Sequence, residues 1–148
     1  MKSYNPEMHT AEHVLNHTMV QMFDCNRSFS NHLERKKSKC DYHFCRALTA
    51  DEEVQISNKV NEVLSGHFDV SEQILTREAA AKVFDLEKLP DASGESIRIV
   101  RVGHYDACPC IGDHVTNTKE VGEFILGTTS YREGVLRIRF KLKRPELI

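Results

Sequence analysis

No apolar run in this 148-residue chain approaches the length of a membrane span, which excludes a helical membrane protein. The first residues are polar and lack both an apolar core and a cleavage site, so no signal peptide is expected. Excess charge is missing too. Twenty Lys and Arg against 22 Asp and Glu give a net charge of -2. Any nucleic-acid partner would therefore meet a local basic patch rather than a basic protein. No disulfide framework is expected either. Five Cys is an odd number at irregular spacing, as expected of free or metal-bound thiols in a reducing cytosol. There is no internal repeat and no low-complexity linker. What is left, 40% hydrophobic and 28% charged, reads as a soluble globular protein. Residues 1–148 are expected to form a single domain, long enough to build its core without disulfides.

The hydrophobic pattern predicts an α+β fold with two main helices packed on an antiparallel sheet. Residues 7–23 read as a helix with Met8, Ala11, Leu15, Met19 and Met22 on one stripe, capped by Asn5 with Pro6 at its first position. His9 and His13 project from another side, shared with Val20, so this helix should touch protein on more than one face. A short polar strand over 28–35 and a returning strand over 40–48 flank a charge run, 35–39, suited to a hairpin turn. Thr49 and Glu52 have the spacing of a capping box. The helix they open is expected to run to about Ser65, to bury Val54, Val60, Val63 and Leu64, and to stop at Gly66. A strand over 68–74, a short helix over 78–84 opened by Thr76, and a loop over 86–95 follow. The apolar strand 97–102 is interrupted by Arg98 and Arg101. Residues 105–119 look irregular. The segments 122–129 and 134–143 read as a closing hairpin turning at 130–133. The last strand alternates Leu136, Ile138, Phe140 and Leu142 with Arg137, Arg139, Lys141 and Lys143.

Two short segments carry chemistry. His9-Thr10-Ala11-Glu12-His13 places two imidazoles four apart, hence on one helix face. Cys110-Ile111-Gly112-Asp113-His114 places a thiol and an imidazole at the ends of a loop that Gly112 lets curl. Either pair is weak alone in a chain with eight His. Jointly they supply four donors of the kinds that surround zinc tetrahedrally. Cys108, in Cys-Pro-Cys with Cys110, is too close for the usual zinc spacing, so only Cys110 is taken as a ligand.

These residues also carry a resemblance. His9 to His13 resembles the His-Thr-Ala-x-His segment of the editing domain shared by alanyl- and threonyl-tRNA synthetases. The run from Cys110 to Gly122 is similar to that family's Cys-Gly-Gly-x-His-Val-x-Asn-Thr-x-Glu-Ile-Gly signature, and Gly134-Val135-Leu136-Arg137-Ile138 resembles its closing Gly-Val-x-Arg-Ile. Length and ligand placement are similar to the small freestanding alanyl-tRNA editing proteins. Ile111 and Asp113 stand where glycine and threonine are usual, next to the ligands. The resemblance implies a zinc-dependent, cytoplasmic hydrolase of the ester joining serine or glycine to alanine tRNA. Its metal ligands would be His9, His13, Cys110 and His114. Thr10 and Asp113 are then the catalytic candidates, and Thr116 and Asn117 the substrate-binding ones. Arg137 and Arg139, with Lys141 and Lys143, offer phosphates a cationic row, as does the 35–39 run. Two other readings stay open. A zinc-stabilised tRNA-binding module could have lost hydrolysis. Alternatively, His9-x-x-Glu12-His13 matches the His-x-x-Glu-His of inverted zinc peptidases, for which Glu12→Gln would abolish activity.

Overall fold

The computed structural model describes residues 5–84, 86 and 96–144. The loop expected over 86–95 therefore lies, Leu86 apart, outside the described residues. The α+β expectation holds, with the antiparallel strands divided between two sheets.

The first helix, α1 (Pro6–Phe23), forms where its cap predicts: Asn5 Oδ1 accepts from the Met8 N–H at 3.0 Å, and Pro6 lacks only an N–H the helix would leave unpaired. It ends at Asp24 in the left-handed conformation, φ 54°. Every residue from Met8 to Asn16 is buried. A helix with this many polar residues tolerates burial on all sides only if those residues find partners. Two are satisfied nearby: Asn16 Oδ1 accepts from the Ser28 N–H at 2.9 Å, and Thr18 Oγ1 donates to the Val14 carbonyl at 2.8 Å.

Strands β1 (Ser30–Leu33) and β2 (Ser38–His43) make the first hairpin, so the charge run lies at its turn. Helix α2 (Ala50–Leu64) carries the capping box, with Thr49 and Glu52 bonding each other's backbone N–H. Its buried stripe is Ile56, Val60, Val63 and Leu64, while Val54 is 57% exposed. Helical spacing explains this correction: Ile56 stands four, seven and eight residues before the others, and Val54 falls outside that register. Gly66 follows the helix, but the left-handed residue is His67, φ 53°. Gly66 instead makes room for the Phe68 ring, which a Cβ would strike.

Strand β3 (Val70–Thr76) leads through a Thr76 cap into α3 (Arg77–Ala81), then β4 (Ser96–Val102) and β5 (Asp106–Pro109) complete a sheet ordered β3-β4-β5. The stretch expected to be irregular thus contains a strand, and an edge strand can hold Pro109 without losing a ladder bond. A 3-10 turn, Thr118–Glu120, precedes β6 (Glu123–Arg132) and β7 (Val135–Lys143). These close the second sheet, ordered β1-β2-β7-β6. The closing turn is tighter than expected, at Glu133 and Gly134. Leu136, Ile138 and Phe140 are buried, as the alternation requires. None of the described helices is long and apolar enough to cross a membrane.

Gly122 sits at φ 91° where a Cβ would collide with the Lys143 carbonyl oxygen. Gly122→Ala is expected to destabilise the fold by roughly 2 kcal/mol or more, since backbone cannot yield as a side chain does. Urea unfolding would show this as a lower midpoint at an unchanged slope.

Candidate metal centre

Two elements supply the centre. Helix α1 presents His9 and His13 one turn apart, and the loop after β5 returns Cys110 and His114 to the same face. One ligand atom from each of these four residues lies within 4.8 Å of the others. Cys110 Sγ is 3.2 Å from His9 Nε2. The His9 and His114 rings stack at 4.0 Å, and His13 meets both edge-on at 5.0 and 4.4 Å.

The second nitrogen of each imidazole decides whether such a cluster suits a metal. His9 Nδ1 lies 3.1 Å from the Asp113 carbonyl oxygen, to which it donates. His13 Nδ1 lies 3.4 Å from Asp106 Oδ2. His114 Nδ1 lies 3.0 Å from Thr10 Oγ1. With each Nδ1 facing a protein oxygen, the Nε2 atoms remain for an ion, the arrangement that fixes tautomer and ring orientation around metals. His114 Nε2 is buried and has no hydrogen-bond partner among the described residues, an orphan that an ion would satisfy. The residues fit a metal ion.

Charge agrees. Burial would raise the Cys110 thiol, but the imidazoles of His114, His13 and His9 around it outweigh burial and bring it down to about 3, so a thiolate faces the centre. Burial would lower His13, yet Asp106, Cys110 and Glu12 outweigh burial and lift it to about 9. Burial is what takes His114 down to about 4. Near neutral pH, then, metal loading must displace a proton from His13 but none from Cys110 or His114. Metal affinity should rise with pH up to about 9, where His13 has lost its proton. Calorimetric titration in buffers of different ionisation enthalpy reads that released proton directly, and zinc uptake at neutral pH with no proton released would contradict it.

Residues 97–139 match the family described as Threonyl and Alanyl tRNA synthetase second additional domain. Alanine–tRNA ligase of Fervidobacterium nodosum is 31% identical over 132 residues, covering 88% of this chain and 15% of that protein. The chain is related to the editing-type domain of alanyl- and threonyl-tRNA synthetases. Alanine–tRNA ligases of Ligilactobacillus salivarius, 29% identical over 88% of the chain, and Neisseria meningitidis serogroup B, 25% over 93%, are similar too. The chain spans about 15% of the length of these first relatives.

The other candidate residues separate by position. Thr10 is fully buried, and its hydroxyl oxygen meets His114 and accepts from the Val115 N–H at 3.3 Å. Asp113 holds His9 through its carbonyl and leaves its carboxylate side exposed. Thr116 donates twice to Glu120, and Asn117 caps the 3-10 turn and donates to His67 and Asp69, so both side chains serve the turn. Arg137 and Arg139 lie on the other sheet. Arg137 is bidentate to Asp41 at 2.8 and 2.9 Å, and Arg139 reaches Thr128 at 3.2 Å.

Sequence reasoning missed the residues that hold the ligands. Asp106 stands behind His13 and binds Arg27 at 2.8 and 3.3 Å. Arg98 donates to the Cys110 carbonyl at 3.2 Å and the Gly112 carbonyl at 2.7 Å, clamping the cysteine loop to β4. A cation interrupting an apolar strand was the available signal. Glu12 accepts from Asn31 at 2.9 Å and leaves Oε2 buried, without a hydrogen bond among the described residues, 3.7 Å from His13 Nε2.

Proposed function

We propose that this chain is a zinc-dependent hydrolase that cleaves the ester between a wrong amino acid and tRNA, acting in trans in the cytoplasm on serine or glycine mischarged on alanine tRNA. The observation that carries the reading is the meeting of four donors from segments a hundred residues apart, on a chain related to synthetase editing domains. When bound, a zinc ion supplies Lewis acidity that polarises an ester carbonyl. The protein supplies the rest. Cys110 and the three imidazoles would hold the ion, while Asp106, Thr10 and the Asp113 carbonyl keep each ring turned inward. Because Thr10 is fully buried, its hydroxyl positions His114 rather than touching substrate. The exposed Asp113 carboxylate side offers a negative charge to the free amine of an aminoacyl ester. Ile111, 61% exposed on the ligand loop, gives the approach an apolar wall where glycine is usual.

A second reading has an observation of its own. Four protein donors are the complement of a closed structural zinc site, whereas catalytic zinc keeps an open position. On that reading the chain binds tRNA without hydrolysing it. Metal analysis combined with incubation on seryl-, glycyl- and threonyl-tRNA separates the two. Release of serine or glycine by a protein holding one zinc is the expected result. Binding with no amino acid released would establish the module instead.

A further inference from the structure

Beside the metal centre, a cleft of about 700 Å³ opens between the second half of α1 and the turn joining β4 to β5. His17, Arg27, Arg101 and His104 line it, with the Tyr105 ring and the Asp106 carboxylate. Among the described residues Asp106 is the only acid on its wall, and it is already engaged: Oδ1 lies 2.8 Å from Arg27 and 3.4 Å from His17, and Oδ2 faces His13. Next to the cleft, Lys59 Nζ stands 5.7 Å from the centre of the Tyr105 ring, its own nearest acid among the described residues being Glu62 at 3.9 Å. With Asp106 paired to Arg27, Arg101 is the cation of the wall left without an acid partner among the described residues, so the cleft is suited to a group carrying negative charge.

We propose that this cleft receives a phosphodiester of the tRNA acceptor end while the adjoining ester lies at the four metal donors. The assignment rests on the tRNA reading above and adds to it a place for the backbone. Its basis is continuity. A single carboxylate forms part of the cleft wall and also orients the metal ligand His13. A phosphate held at the cleft is thereby one carboxylate away from His13, on the Nδ1 side of that ring. Phosphate contacts of this kind fix register without reading bases. The rows on the other sheet are less suited. Arg137 is neutralised by Asp41, and Arg139 is bonded to Thr128 and lies near Ser130.

The test uses an unacylated, fluorescently labelled RNA hairpin ending in the single-stranded CCA of tRNA, bound by the zinc-loaded protein over a range of salt. The Arg101→Gln, His104→Gln double variant should retain its zinc and bind about tenfold more weakly. Its plot of log affinity against log salt should be shallower by about one for each phosphate no longer neutralised. The Lys141→Gln, Lys143→Gln variant should match the wild type. Wild-type affinity and slope in the cleft variant, or the weakening found in the β7 variant instead, would overturn the assignment. Since the probe carries no ester, a wild-type protein that fails to deacylate would sink the hydrolase reading and leave this one standing.

Discussion

Cys110→Ala is expected to lower zinc affinity by at least about 10²-fold and to abolish measurable deacylation with it. Altering a group that merely orients a ligand costs 10- to 100-fold, and losing a ligand outright exceeds that. Cys110 is the one anionic donor of the four. Its thiol is held near 3 because three imidazoles surround it, and burial opposes rather than helps. Alanine removes the thiolate that faces all three imidazoles. The loss should reach the fold as well, because a bound ion would join α1 to the loop after β5. At a free zinc concentration a hundred times the dissociation constant, linkage gives about 2.7 kcal/mol of stabilisation. A chelator should therefore lower the melting temperature of the wild type and leave the variant unmoved. Cys108→Ala is the comparator. Burial pushes its thiol up to about 12 and its Sγ bonds the Pro109 carbonyl, so zinc should stay. A Cys110→Ala protein that kept one zinc at wild-type affinity would refute the assignment of the ion.

The four candidate donors were legible in the sequence and their supports were not, for one physical reason. His9 with His13, and Cys110 with His114, are each spaced by local geometry, so a helix turn or a short loop is enough to imply the pair. The groups behind them arrive by tertiary packing. Asp106 comes from a four-residue edge strand whose Pro109 and short length hide its periodicity, and Asn31 comes from a hairpin remote in sequence from Glu12. Caps were legible for the same local reason: Asn5, Thr49 and Thr76 all accept the backbone N–H their spacing predicts. Val54 was misplaced where the stripe was drawn by residue type instead of by register. The division of strands into two sheets could not be read from alternation, because alternation assigns a residue to a face and not a strand to a neighbour.

Asp106→Asn should lower zinc affinity 10- to 100-fold and destabilise the fold by roughly 3 kcal/mol, although the residue is not itself one of the four metal donors. The carboxylate is 1% exposed and serves three partners at once, His13, His17 and Arg27. Burial works to raise its pKa, and the hydrogen bonds from the two histidines together with Arg27 outweigh burial and hold it well below the usual carboxylate range. Because the folded value is depressed, the stabilisation is present above the ordinary carboxylate pKa of about 4 and is lost as pH falls below it. Asparagine can accept from one partner but supplies no charge for Arg27, which is left a largely buried cation. The gap in urea stability between wild type and variant should therefore be widest near neutral pH and narrow on acidification. A gap independent of pH would mean that shape, not charge, is what Asp106 contributes. Zinc affinity supplies the second reading: only an orienting role behind His13 links the loss of metal to the loss of this carboxylate, since a purely structural ion pair with Arg27 would weaken folding and leave the ion in place.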